Sequence, residues 1–167
     1  MLILALFILG LVTRLMPHIP NFAPIVAIAL FSGAFLNKKF GMWLALALYV
    51  ITDLIIGMHD VILFTWSSIL LISFIGARIK KKKMTNMLGY TLLSSALFFV
   101  ITNFGVWLAG WYPPTLAGLA SCYISALPFF RTSLLVNLIY AGVLVKVYEF
   151  CLQKIRSKNL AHALLLR

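Results

Sequence analysis

Acidic residues are nearly missing from this chain: three Asp and Glu stand against fourteen Lys and Arg in 167 residues, a formal charge of +11. Chemistry that relies on paired carboxylates has little to work with, and neither an HExxH motif nor a glycine-rich nucleotide loop occurs. Leu30-Phe31-Ser32-Gly33 approaches an intramembrane serine-protease signature but lacks its first glycine. An enzyme is not expected. Cysteine is as scarce, with Cys122 and Cys151 alone. His18, His59, Asp53, Asp60 and Cys122 are scattered singly, without the spacing of metal-ligand pairs, so neither a metal nor another resident cofactor is expected.

What fills the chain instead is apolar. Hydrophobic residues make up 63% and charged ones 10%, and the mean hydropathy is +1.08. A soluble domain cannot hide that much apolar surface. The composition predicts an all-α integral membrane bundle of about six transmembrane helices at roughly 20 residues each, with the lipid bilayer as its surroundings. No basic stretch precedes the first apolar run and no small-residue cleavage site follows it, so that run is expected to be retained.

The positive charge is not laid out as a groove-reading face, which argues against nucleic acid. Lys38 and Lys39 follow the second apolar run, Arg78 and Lys80 to Lys83 the fourth, and Lys154, Arg156 and Lys158 the last. Basic residues in alternate loops mark the cytoplasmic face. Both termini are therefore expected in the cytoplasm of a multi-pass inner-membrane protein, with the turns after the first, third and fifth runs outside. Cys122 and Cys151 then lie at opposite faces, about 30 Å of hydrocarbon apart, and cannot form a disulfide.

Taken in order, the chain predicts helices over roughly Leu2 to Met16, Phe22 to Leu36, Phe40 to Met58, Val61 to Ile79, Leu88 to Trp111 and Pro128 to Leu152. Pro17 and Pro20 forbid continuation of the first helix; Asn21 is placed to cap the second, with Pro24 tolerated in its first turn. The small residues of that second helix, Ala23 to Ala34, allow close packing. Trp107, Trp111 and Tyr112 mark a membrane interface, and the uncharged stretch before Pro128 reads as a half-buried loop or short helix. Residues 1–153 form one transmembrane domain, and 154–167 a basic tail suited to lie along the inner leaflet.

Removing the topology signal leaves a polar set on the outer half: Arg14, His18, Asn21, Asp53, His59, Asp60, Asn103, Cys122 and Arg131. The turn after the first helix aims backbone N–H groups, Arg14 and His18 at one spot, which favours an anionic or carbonyl-bearing group. Asp53 sits about one turn inside the membrane boundary, where a carboxylate needs a partner such as Arg14 or Arg131, or a ligand. Arg14 ends the first helix, where the dipole welcomes it; Arg131 is read in the first turn of the last helix, where the dipole opposes it, so Arg131 carries the greater weight and needs a negative partner, Asp53, Asp60 or an anionic group of the substrate. An Arg131–Asp53 pair is expected to serve ligand capture more than folding. Asn103 and Trp107 share a face of the fifth helix, and Phe98, Phe99, Phe104, Phe129, Phe130 and Tyr123 supply aromatic surface, either as core or as walls for a flat molecule. Cys122 is a soft donor for a cobalt corrin or, beside Tyr123, a small packing residue.

The stretch Arg14-Leu15-x-Pro17-His18-x-Pro20-Asn21-Phe22-x-Pro24, followed by Ala29-Leu30-Phe31-Ser32-Gly33-Ala34, Thr102-Asn103-Phe104 and Cys122-Tyr123, resembles an uncharacterised group of small six-helix bacterial membrane proteins. Size, layout and the outward polar cluster also resemble, in architecture, the substrate-binding S-components of energy-coupling-factor vitamin transporters. That second resemblance implies a subunit that captures a vitamin or precursor at the outer face and works with an energising transmembrane subunit and ATPases. One family feature differs: Ala5 is followed four residues on by Leu9, not alanine, and the spacing recurs instead at Ala23 and Ala27. The rival expectation is a non-transporting structural or assembly subunit, in which the polar residues only join helices.

Overall fold

A computed structural model describes residues 2–15, 23–36 and 38–165. Among them the chain is entirely helical, with six helices and no strand: α1 Leu2–Leu15, α2 Ile25–Phe35, α3 Lys38–Ile56, α4 Ile62–Arg78, α5 Met84–Leu108 and α6 Leu116–Leu165. The expected cap at Asn21, together with His18, Pro17 and Pro20, lies outside the described residues. α2 begins later than its apolar run does, with Pro24 at the N-cap and no side-chain cap bond.

The largest departure from expectation is α6, one 50-residue helix with Pro128 inside it. Its start is Thr115, not Pro128. The Thr115 hydroxyl accepts from the Gly118 N–H at 3.1 Å and the Thr115 carbonyl from Leu119 N–H at 2.9 Å, which is an N-cap. Pro128 removes one backbone donor from the helix interior, a loss that helices packed among others tolerate. The tail continues α6 as helix to Leu165.

α2 is the axis of the bundle. Every residue from Ile25 to Ala34 is buried, and α2 touches all five other helices. Its small residues let backbones meet: Gly33 lies against the Ser73 carbonyl of α4, and Gly76 of α4 against the Leu30 carbonyl. Around it pack Leu6, Leu48, Ile69, Ile72, Met87 and Val145.

Contacts along the helices show alternating direction. Gly10 meets Leu48 where Arg14 meets Asp53, so α1 and α3 run together; Asn137 meets Ala27 where Tyr148 meets Phe31, so α2 and α6 run together the other way. Asn103 and Val100 of α5 meet Cys122 and Tyr123 of α6 as an antiparallel pair. Asp53, Trp66 and Asn103 therefore share one end of the bundle with Arg14, and the basic residues Arg78 to Lys83 and Lys154 occupy the other.

Two helices, Met84–Leu108 and Leu116–Ile155, are long and apolar enough to cross a membrane, by length and composition alone. α1 to α4 are shorter apolar helices. Much of the exterior is apolar as well: Leu63, Phe40, Trp43, Leu116 and Ile124 are all exposed.

Candidate functional site

At the end of the bundle away from the basic residues, α1, α3 and α4 converge on Asp53. It is only 1% exposed, and its position in the last turn of α3 sets it against the negative end of that helix's dipole. Compensation comes from three sides. Arg14 Nη2 donates to Oδ1; Trp66 Nε1 of α4 donates to Oδ2 at 2.7 Å; His59 Nε2 lies 3.7 Å from Oδ2. Arg14 is held in turn, donating through Nη1 to Thr52 Oγ1 at 2.6 Å and to the Tyr49 carbonyl at 3.3 Å. Its guanidinium carbon stands 3.6 Å from the centre of the Tyr49 ring.

The partner of Asp53 is therefore Arg14, which corrects the weight placed on Arg131. Arg131 sits in the interior of a helix that begins at Leu116, so no N-terminal dipole opposes it. It is exposed beside Leu127, Pro128 and Thr132, and no carboxylate pairs with it among the described residues. Arg131→Gln is expected to change folding stability by less than about 0.5 kcal/mol. Denaturant titration of the detergent-solubilised protein checks this.

Arg14 and Tyr49 also form one wall of a hollow of about 390 Å³. Ile25 and Val26 at the start of α2 form another, and Phe98, Ser133 and Asn137 close the far side. Asn137, 1% exposed, was missed in the sequence. Its Oδ1 accepts from the Ala27 N–H at 2.8 Å, so α6 caps α2, and its Nδ2 donates to the Ser133 carbonyl at 2.7 Å. The rule applied to Asn103, that an amide inside an apolar helix reaches another element, identifies Asn137 equally well. Among the described residues, none accepts from the Ile25 and Val26 N–H groups.

The remaining sequence candidates divide. Asn103 lines a second hollow of about 180 Å³, walled by Phe98, Phe99, Phe129 and Phe130. Its Nδ2 is turned onto its own helix, to the Phe99 carbonyl at 2.8 Å. Trp107 and Tyr123 line neither hollow: Trp107 Nε1 donates to the Pro113 carbonyl at 3.0 Å and Tyr123 Oη to the Val100 carbonyl at 2.7 Å, both fastening the α5–α6 pair. Asp60 accepts from Trp111 Nε1 at 3.2 Å and does not reach Asp53's network. Cys122 is buried, with its thiol toward the Asn103 carbonyl at 3.4 Å, where it packs between α5 and α6. Among the described residues, no group of three or more His, Cys, Asp or Glu is placed to hold a metal ion.

Residues 1–160 match the model of DUF6580, a family of unknown function, and the chain belongs to that family. Neither a curated protein nor a solved structure matches the chain.

Proposed function

We propose that this chain is a multi-pass inner-membrane protein that captures a small organic solute, such as a vitamin or a precursor, in the hollow beneath Arg14. The observation that carries the reading is that hollow itself: about 390 Å³, within the range of small-molecule sites, with an arginine, a buried amide and the first turn of α2 around one space. Arg14 spends three of its donors on Asp53, Thr52 and Tyr49, which leaves N–H groups for a carboxylate or carbonyl of the solute. An apolar exterior and basic residues gathered at the opposite end support a bundle of six helices seated in the bilayer with the hollow outward. α2, only 11 residues long, is enclosed by the others and need not reach both faces itself. Passage inward would fall to an energising transmembrane subunit with ATPases, as the six-helix layout with an outward polar cluster suggests by analogy with energy-coupling-factor transporters. The test is mass spectrometry of small molecules released from gently purified protein. One compound at near-stoichiometric amount is expected; its repeated absence, with no thermal stabilisation across a panel of vitamins, overturns the reading.

A second reading has its own support. The Arg14, Asp53, Thr52 and Trp66 network ties three helices, as a structural subunit of a membrane complex would need.

Orientation can be read from one cysteine. Cys122 is buried and Cys151 exposed, so an impermeant maleimide is expected to label Cys151 in inside-out vesicles and not in sealed cells, and Cys122 in neither. Labelling of Cys151 in sealed cells reverses the topology.

A further inference from the structure

We propose that the phenylalanine-walled hollow between α5 and α6 is a subsite for a single six-membered heteroaromatic ring of the captured solute. This rests on the solute-binding reading above and names the class of its ligand. Volume sets the first limit. An apolar cavity of roughly 150 Å³ admits benzene, so a hollow of about 180 Å³ has room for one six-membered ring. The walls suit a flat face: the Phe99 and Phe130 rings stand 4.6 Å apart at 37°, and Phe98 and Phe129 complete the lining.

Chemistry sets the second limit. Ser95 lines this hollow, is 3% exposed, and its hydroxyl is buried without a hydrogen-bond partner. Ser73 and Ser94 hydroxyls are buried without a partner as well, but of these serines Ser95 is the one that lines this hollow, and an occupant with a hydrogen-bonding ring atom or substituent would satisfy it. Thr102 Oγ1 donates to the Phe98 carbonyl at 2.8 Å and Asn103 Nδ2 to the Phe99 carbonyl, and neither side chain comes within hydrogen-bond reach of the Ser95 hydroxyl. A hydrocarbon ring or a lipid chain would leave the Ser95 hydroxyl stranded.

Phe98 and Ser133 line both this hollow and the one beneath Arg14. The two hollows are thus neighbours on either side of Phe98 and Ser133, and the proposed solute places its ring against the phenylalanine wall with its acceptor oxygens toward Arg14. The class is a monocyclic heteroaromatic compound with a carbonyl or carboxylate on a short chain.

The test uses the full chain in detergent and four probes: 3-(pyridin-3-yl)propionate, 3-phenylpropionate, 3-cyclohexylpropionate and ringless butyrate. Affinities are read by ligand-observed NMR and melting shift. Pyridyl is expected to bind about fivefold tighter than phenyl, and Ser95→Ala to abolish that preference. Ala126→Phe fills the subsite and is expected to weaken both aromatic probes to the level of butyrate while leaving butyrate unchanged. Thr102→Phe serves the same purpose if that variant does not fold. Equal binding of pyridyl and cyclohexyl probes, indifference to Ser95→Ala, or a phospholipid chain held in the hollow overturns the ring subsite. If all four probes bind alike and resist Ala126→Phe, the ring subsite falls and the solute reading stands; if none binds, both fall.

Discussion

Replacing Asp53 with alanine is expected to lower unfolding stability by about 3 to 5 kcal/mol, the loss typical of breaking a buried ion pair by removing one partner. The magnitude follows from what is stranded. Arg14 keeps its charge beside Tyr49 and Thr52 with no carboxylate, and the Trp66 N–H loses its acceptor. Arg14→Met is expected to do comparable damage, because a carboxylate 1% exposed at the negative end of α3 is then left to Trp66 and His59. The double variant Arg14→Met with Asp53→Leu should recover much of the loss, since an apolar pair of similar volume leaves no orphaned charge. Denaturant titration in detergent micelles gives the three numbers. Single variants within about 1 kcal/mol of the parent would show that the network does not join α1, α3 and α4 as described.

Leucine at Gly33 or at Gly76 is expected to abolish the folded protein. A Cβ at Gly33 would stand 2.0 Å from the Ser73 carbonyl oxygen, and one at Gly76 would stand 2.3 Å from that of Leu30. Both obstacles are backbone, so no rotamer change relieves them, and α2 and α4 must separate. Since α2 touches every other helix, separation there disturbs the whole bundle. Alanine at either position sets the same Cβ against the same backbone oxygen, so it is expected to cost at least the upper end of the about 1 to 3 kcal/mol typical of an overpacked core. Gly142 is the control: nothing lies within 4 Å of an added Cβ, so Gly142→Ala should be neutral or stabilising by up to about 1 kcal/mol. Size-exclusion profiles and melting curves separate these outcomes. Similar behaviour of Gly33→Ala and Gly142→Ala would remove the close crossing from the account.

Apolar runs and their polar interruptions were enough to place α1, α3 and α4 within a few residues, because in those stretches the helix ends coincide with the polar turns. α6 was misplaced for a physical reason. A proline was read as a beginning, although a helix can carry one in its interior, while the true signal, Thr115 after two prolines, is an N-cap whose effect lies in one hydroxyl. That error carried into the site. Once Arg131 was put in a first turn, the dipole argument raised it above Arg14, whose pairing with Asp53 depends on α1 and α3 running side by side. Periodicity within one helix does not reveal which helices neighbour each other. Trp66 joined the site through that same neighbourhood and had no separate mark in the sequence, whereas Tyr49 is legible as sharing a helical stripe with Asp53 and Gly57.

Solute capture beneath Arg14 is tested most directly by comparing what co-purifies with the parent chain and with Ala23→Phe. Ala23 lines the hollow, lies outside the helices and makes none of the Asp53 contacts, so a phenyl group there fills the space and leaves the ion pair in place. The account predicts one small molecule at near-stoichiometric amount from the parent and none from Ala23→Phe, with the two proteins melting alike once the parent is stripped of ligand. Equal amounts from both proteins, or nothing from either, would contradict it.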